Sequence, residues 1–221
     1  VKGGKIVFVG SKVDAEKMKG DSTAMNDLQG KTLVPGFIDG HAHFHGFGAQ
    51  AVGANLLASP DGPVNDIDIL VSELKSWHQK NGVDKTNGWI LGIGFDDAVL
   101  KEKRFPTKQD LDRVSKDVPI CIIHISGHFC VMNSKGLELS KVTAASKNPD
   151  GGIIRRIKGT QEPDGVLEEL AAVPLFFPII TPKTSEMAEM YMDEAQKMAL
   201  RFGYTTAQEG RAMTNHEQLA D

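Results

Sequence analysis

Two stretches of the chain carry apolar residues at helical spacing. From Ile67 to Gln79 the apolar positions recur every three or four residues, and Asn81-Gly82 supplies a stop signal. From Lys183 to Phe202, apolar and small residues fall on one face, and Gly203 follows. Both segments are therefore predicted to be amphipathic helices that pack on a layer of strands.

Strand-like segments alternate with these helices. The apolar runs Trp89 to Gly94 and Pro119 to Ser126 predict buried strands, and Tyr204 to Gln208 predicts a third strand after the second helix. Alternation of strands and helices is typical of α/β proteins, in which helices cover a sheet that is largely parallel. The pattern therefore predicts an α/β fold.

Shorter segments complete the pattern. Thr107 to Val114 and Asn133 to Leu139 are predicted to be short helices, the first with Thr107 as its cap. Residues 145–152 and 158–165 are rich in turn-forming and polar residues, so they are expected to be loops.

The beginning of the chain has a different character. Lys5 to Val9 and Lys31 to Val34 are short β-rich runs separated by a polar stretch. They are predicted to be pieces of a small β domain that precedes the α/β part.

The composition describes a globular protein and excludes nucleic acid as a partner. The chain has 221 residues, 40% of them hydrophobic, which is enough to bury a sizeable core. Its 25 Lys and Arg against 29 Asp and Glu give a net charge of -4 and no basic stripe. No window approaches the roughly 20 apolar residues that cross a bilayer. We expect a small-molecule substrate and no membrane partner, with a homo-oligomer left open.

The two cysteines give an expectation about location. Cys121 and Cys130 form no C-x-x-C pattern and lie in or beside the apolar run 118–125. Small thiols are common in buried runs of this kind. We predict that both are reduced and structural, as in a cytoplasmic protein.

The candidate chemistry begins at His41 and His43, which end a short apolar segment. Side chains two positions apart on a strand share a face, with Cα atoms roughly 6.6 Å apart, so two imidazoles can bind one ion. Zinc binds imidazole nitrogen, and catalytic sites leave one position open for water. On spacing alone, a surface pair is the more frequent explanation. His45 continues the alternation, but Gly46 and Gly48 predict a loop, which favours a role outside the ligand set.

The residues around the histidines match a family pattern over ten positions. The segment from Val34 to His43 closely resembles the first-strand signature of the amidohydrolase superfamily, Pro-Gly-Phe-Ile-Asp-x-His-x-His. Other segments resemble the amidohydrolase-3, or YtcJ-like, branch, which includes N-substituted formamide deformylase. They are Lys2 to Ser11, Trp89 to Asp96, Phe105-Pro106-Thr107 with Asp110-Leu111-Asp112, Gly127-His128 with Asn133-Ser134, Gly165-Val166-Leu167-x-Glu169, and Gly203-Tyr204-Thr205-Thr206.

The resemblance implies a fold and a domain organisation. The fold would be part of a distorted TIM (β/α) barrel beside a small β-sandwich that is built from both ends of the chain. Residues 1–34 would form the partial sandwich, and residues 35–221 the partial barrel with an insertion-like segment around 60–165. A full barrel typically needs about 250 residues. We therefore expect the sequence to be a fragment, truncated at both ends.

The resemblance also implies site residues. His41 and His43 would bind a divalent metal, with zinc favoured by their chemistry. Glu209 follows a predicted strand, where a barrel delivers side chains to its active face, so it is a candidate ligand with a surface glutamate as an equal alternative. His128 on sequence alone fits a core histidine, and Asp96 a solvated turn carboxylate. The resemblance implies instead that both contact the substrate.

The implied reaction is hydrolysis of a non-peptide carbon–nitrogen bond, in an amide, formamide or cyclic amide, by metal-activated water. Two alternatives stay open: a catalytically incomplete fragment or binding module of the same fold, and a barrel hydrolase acting on C–O or P–O bonds. The sequence does not identify the residue that transfers the proton. A catalytic zinc normally has about three protein ligands, and the later ligands that the resemblance implies have no counterparts in this sequence. The chain alone is therefore expected to hold zinc weakly and to show no turnover.

Overall fold

The computed structural model describes residues 1–210, apart from the side chain of His45. The chain divides into two compact units, Val1–Pro35 and the part from Gly36 onward. The first unit contains the short helix α1 (Lys12–Glu16), which begins at Ser11, whose hydroxyl accepts the Asp14 backbone N–H. Lys2 and Lys5 form an isolated antiparallel bridge.

The strands predicted at 5–9 and 31–34 are not formed in the first unit. Their apolar side chains are exposed, Ile6 at 72% and Val9 at 86%. A strand is stable only when a neighbour pairs with its backbone and one face is covered, and neither occurs within residues 1–35. The composite sandwich stays a prediction.

The second unit contains eight strands and six α-helices in its described part. In chain order they are β1 (Phe37–Ile38), α2 (Phe44–Val52), β2 (Ala54–Asn55), α3 (Ile67–Asn81), β3 (Ile90–Phe95), α4 (Lys108–Asp112), β4 (Ile120–His124), β5 (Phe129–Met132), α5 (Ser134–Leu139), β6 (Gly152–Arg156), β7 (Pro163–Glu169), α6 (Val173–Ile180), α7 (Ser185–Arg201) and β8 (Tyr204–Thr206).

The strands form two separate sheets. Six strands lie in the order β2-β3-β4-β5-β7-β6, with β2, β3 and β4 parallel and the remaining pairs antiparallel. All six come from residues 54–169, between β1 and β8, which pair in parallel with each other. The described residues therefore have a mixed α/β fold, in which these two sheets do not close into a barrel.

The core lies on both faces of the six-stranded sheet. On one face, Leu70 and Leu74 of α3 are fully buried against Ile90 and Ile120. On the other face, Phe176 of α6 belongs to a cluster with alternate residues of the same strands: Leu91, Cys121, Ile123, Cys130, Met132 and Leu167. The continuous apolar runs that predicted β3 and β4 are explained by burial on both faces.

The helix predicted at 67–79 is confirmed as α3, which packs on the sheet. The helix predicted at 183–202 is confirmed as α7, but its main contact is α2 rather than a strand layer. The loop predicted at Gly46 and Gly48 is wrong, because both residues lie in α2. A Cβ at Gly48 would lie 2.7 Å from the carbonyl oxygen of Tyr191 in α7. This glycine therefore serves close helix packing and not a turn.

Both cysteines are free and buried, as predicted. A hydrogen bond to Cys121, together with burial, raises the pKa of the Cys130 thiol well above its usual range. A thiol that stays protonated at neutral pH is a poor nucleophile. These two residues therefore belong to the core. Among residues 1–210, no helix combines the length and apolar character that a bilayer span requires.

Candidate active site

His41 and His43 were predicted to lie at the end of a strand, and they lie just beyond the end of β1. The carboxylate of Asp39 accepts the backbone N–H of His41 at 3.0 Å and turns the chain after the strand. His43 occupies the N-cap position of α2. The two imidazoles nevertheless lie side by side, with ring centroids 5.5 Å apart and planes at 74°. The turn after β1 positions the ring of His41, and the start of α2 positions the ring of His43.

Glu209 joins the two histidines from the neighbouring strand. It follows β8 and forms an isolated bridge with His43, and the N–H of Gly210 donates to the carbonyl of Ala42 at 2.7 Å. The Glu209 Oε1 atom lies 3.7 Å from His43 Nδ1. The side chain of Glu209 is 19% exposed and that of His43 is 58% exposed, so the carboxylate is the more buried of the two groups. Glu209 was selected as a candidate because it follows a predicted strand, and it does follow β8 in the structure.

These three side chains have the chemistry of a metal site. Two imidazoles and one carboxylate form a donor set found in catalytic zinc sites. Exposure of His43 leaves access for water and substrate. His41, His43 and Glu209 therefore suit a divalent metal by the nature of their donor atoms, although those atoms do not all lie within 4.8 Å of one another.

A second acidic and histidine cluster lies at the carboxyl ends of β3 and β4, and sequence reasoning missed it. Within residues 1–210, Asp96, Asp97 and His124 are the one group of three whose donor atoms all lie within 4.8 Å of one another. His124 Nε2 lies 3.4 Å from Asp97 and 3.8 Å from Asp96, and it is buried without a hydrogen-bond partner. Three phenylalanine rings surround the imidazole: Phe95, Phe105 and Phe129.

Hydrogen bonding around His124 favours a structural role for this second cluster. The backbone N–H of Ser126 donates to His124 Nδ1 at 3.1 Å, so in the neutral ring the proton resides on Nε2. A metal bound at Nε2 would have to displace that proton, although Nε2 makes no hydrogen bond to either carboxylate. Asp96 also accepts the Ala98 N–H at 2.9 Å. The predicted contact of Asp96 with substrate stays a prediction.

A cleft of about 610 Å³ opens beside His43 and Glu209. His128, which the family resemblance placed near the substrate, lies on its wall together with Glu169. Glu169 is the last residue of the Gly165-Val166-Leu167-x-Glu169 motif, and the sequence alone indicates no role for it. Apolar residues form much of the remaining wall: Ile93, Ile123, Leu170, Val173, Phe176 and Ile180. The cleft therefore combines candidate metal ligands, a histidine–carboxylate pair and an apolar surface.

Comparison with known proteins agrees with this geometry. The chain matches the amidohydrolase family (Amidohydro_3) over residues 25–220. It belongs to this family, and the resemblance described above is confirmed.

Individual relatives extend the comparison. The chain is 30% identical to protein LONG AFTER FAR-RED 3 of Arabidopsis thaliana, over 93% of its own length and 33% of that protein. It is 32% identical to N-substituted formamide deformylase of Arthrobacter pascens, over 78% of its length and 30% of that enzyme. A metal-dependent hydrolase from Pyrococcus horikoshii shares the fold, with 23% identity and a TM-score of 0.50 over 94% of this chain and 37% of that one. The chain spans about a third of the length of these curated relatives.

Proposed function

We propose that the whole protein is a hydrolase that cleaves a non-peptide carbon–nitrogen bond of a small molecule with metal-activated water. The observation that carries the proposal is the grouping of His41 with His43 and Glu209, the last two of which line an apolar cleft. Family membership supports a hydrolase that uses a divalent metal. The similarity to a formamide deformylase supports the carbon–nitrogen bond.

In this proposal zinc is held by His41, His43 and Glu209. A bound divalent ion lowers the pKa of its water to near neutrality and polarises a carbonyl group. The two histidines supply neutral imidazole lone pairs, and the partly buried carboxylate supplies the negative charge. Asp39 holds the turn that presents His41. The apolar wall of the cleft would limit the contact of a bound substrate with water.

The fold proposal follows from the same strands. We propose that β1 and β8 are neighbouring strands of a (β/α) barrel, because they pair in parallel and bring their following residues to one edge. Residues 35–221 would be part of that barrel, with 60–165 as an insertion, and 1–34 part of a composite sandwich.

The zinc affinity of the 221-residue chain tests the ligand assignment. His43→Ala is expected to weaken zinc binding at least about tenfold, since it removes one of few ligands. Asp97→Ala, in the competing cluster, is expected to leave the affinity unchanged. Competition with a chromogenic chelator measures both dissociation constants, and circular dichroism confirms that both variants fold. The reverse pattern would move the metal to Asp96, Asp97 and His124 and overturn the assignment.

A further inference from the structure

His128 and Glu169 form a hydrogen-bonded pair on the wall of the cleft. The Nδ1 atom of His128 lies 2.8 Å from Oε2 of Glu169. His128 immediately precedes β5, and Glu169 is the last residue of β7, the antiparallel neighbour of β5. The backbone N–H of Glu169 also donates to the carbonyl of His128 at 2.8 Å. Two adjacent strands therefore fix the pair through backbone and side chains together.

The backbone of Glu169 indicates that its side chain has a role. Its φ angle is +49°, in the left-handed region that favours glycine. Its N–H and C=O are both bonded, to His128 and to Ala172, so the turn at the end of β7 is held whatever the side chain. Glycine would make this turn without a steric penalty. An exposed ion pair contributes little to stability, so stability alone gives no reason for a glutamate here.

The pair determines which ring nitrogen of His128 carries the proton. A carboxylate only accepts hydrogen bonds, so Nδ1 of His128 donates to Glu169 and Nε2 of the neutral ring keeps its lone pair. The side chain of His128 is 60% exposed, and within residues 1–210 its ring makes no hydrogen bond other than that to Glu169. Nε2 is therefore available as an acceptor in the cleft.

The side chains next to His128 in the cleft are mostly apolar. Leu170 and Val173 follow Glu169 in the chain, and Phe176 and Ile180 of α6 extend the apolar wall. A ligand that reaches His128 therefore places an apolar group on this wall and a hydrogen-bond donor beside it.

We propose that the His128–Glu169 pair is a recognition element for a substrate N–H group that adjoins an apolar substituent. Glu169 is the positioning residue and His128 is the acceptor. That the substrate is an amide rests on the proposed function. Among amides, the pair is expected to favour secondary amides over tertiary amides. A tertiary amide carries a methyl or larger group where His128 requires a donor, so the acceptor is left unpaired.

A matched pair of ligands tests the proposal with the full 221-residue chain and without added metal. N-benzylacetamide has the N–H and the apolar group, and N-benzyl-N-methylacetamide has the apolar group alone. Equilibrium binding by ligand-observed NMR is expected to favour the N–H ligand about three- to tenfold, the ratio that one net hydrogen bond provides. Equal binding of the two ligands, or binding of neither, overturns the proposal.

Variants assign this preference to the pair. His128→Phe keeps a ring but removes the acceptor, so the ratio of the two dissociation constants is expected to fall to about one. Glu169→Gln is expected to lower the ratio to an intermediate value, because the amide fixes the proton on Nδ1 less strongly. Glu138→Gln is the control, since it breaks an exposed ion pair with Lys135 (2.9 Å) outside the cleft. A preference that persists in His128→Phe overturns the proposal.

The tautomer of the His128 ring is a second readout. It distinguishes loss of the hydrogen bond to Glu169 from loss of folding. The ¹⁵N shifts of the His128 ring are expected to show the proton on Nδ1 in the wild type and a mixture of tautomers in Glu169→Gln. Because these measurements need neither zinc nor turnover, failure of the metal assignment leaves their outcome unchanged. The two proposals therefore fail separately.

Discussion

Replacing Asn133 by alanine is expected to destabilise the protein by about 3–6 kcal/mol, since each buried group left unsatisfied costs about 1–3 kcal/mol. Asn133 is fully buried, and its Oδ1 accepts the backbone N–H groups of Ile120 (2.9 Å) and Gly136 (2.8 Å). Its Nδ2 donates to the carbonyls of Ser115 (2.9 Å) and Val118 (3.0 Å). One amide thus connects the start of β4, the start of α5 and the segment that precedes β4.

Urea unfolding followed by circular dichroism measures this loss for Asn133→Ala. Asn81→Ala is the matched control, because within residues 1–210 the Asn81 amide donates only to the Trp77 carbonyl, at 2.9 Å on the exposed end of α3. Its effect should stay within about 0.5 kcal/mol. A loss below about 1 kcal/mol for Asn133→Ala would mean that water replaces the amide, and the central role given to this residue would be wrong.

Local signals explain why parts of the fold could be predicted. The helix α3 begins at Asp66, whose carboxylate accepts the Ile69 N–H at 2.8 Å, and it ends before Gly82. The helix α4 begins at Thr107 with a capping box. Helix caps and apolar periodicity are determined by a few consecutive residues. Sequence reasoning therefore finds these elements.

Long-range pairing explains most of what was missed. The loops predicted at 145–152 and 158–165 are correct only in part, because β6 starts at Gly152 and β7 at Pro163. These strands have polar residues near their ends; β6 is stabilised by pairing with β7, and β7 also pairs with β5. Strand propensity depends on such neighbours more than on the local sequence.

The candidate site shows the same division. His41 and His43 could be selected as candidates because their spacing and the surrounding motif are local, and Glu209 because it follows a predicted strand. The ring contact between His124 and three phenylalanines joins distant segments and has no spacing signal. The partnership of Glu169 with His128 spans 41 positions. The local sequence shows only that Glu169 ends the Gly165–Glu169 motif.

Gly165→Ala is expected to cost about 3–5 kcal/mol, because it combines an unfavourable backbone conformation with overpacking. The φ angle of Gly165 is +110°, and an added Cβ would lie 2.6 Å from the Lys108 backbone nitrogen and 2.7 Å from the Met132 carbonyl oxygen. Both neighbours are backbone atoms, of α4 and β5, so no side-chain rotation relieves the contact. The strand β7 has to move away from both elements.

Displacement of β7 is expected to change the cleft as well as the stability. Glu169 ends the strand in which Gly165 lies, so the same shift should separate its carboxylate from His128. Gly165→Ala is therefore expected to lower the urea midpoint and also to abolish the preference for N-benzylacetamide at temperatures where the variant stays folded. Gly159→Ala is the control. The φ angle of Gly159 is +80°, but no atom of residues 1–210 lies within 4 Å of an added Cβ, so this variant carries the conformational cost alone, about 1–3 kcal/mol. If Gly165→Ala unfolds at the same midpoint as Gly159→Ala, the close approach of β7 to α4 and β5 does not limit stability. If it keeps the ligand preference while losing stability, β7 is not the element that positions Glu169.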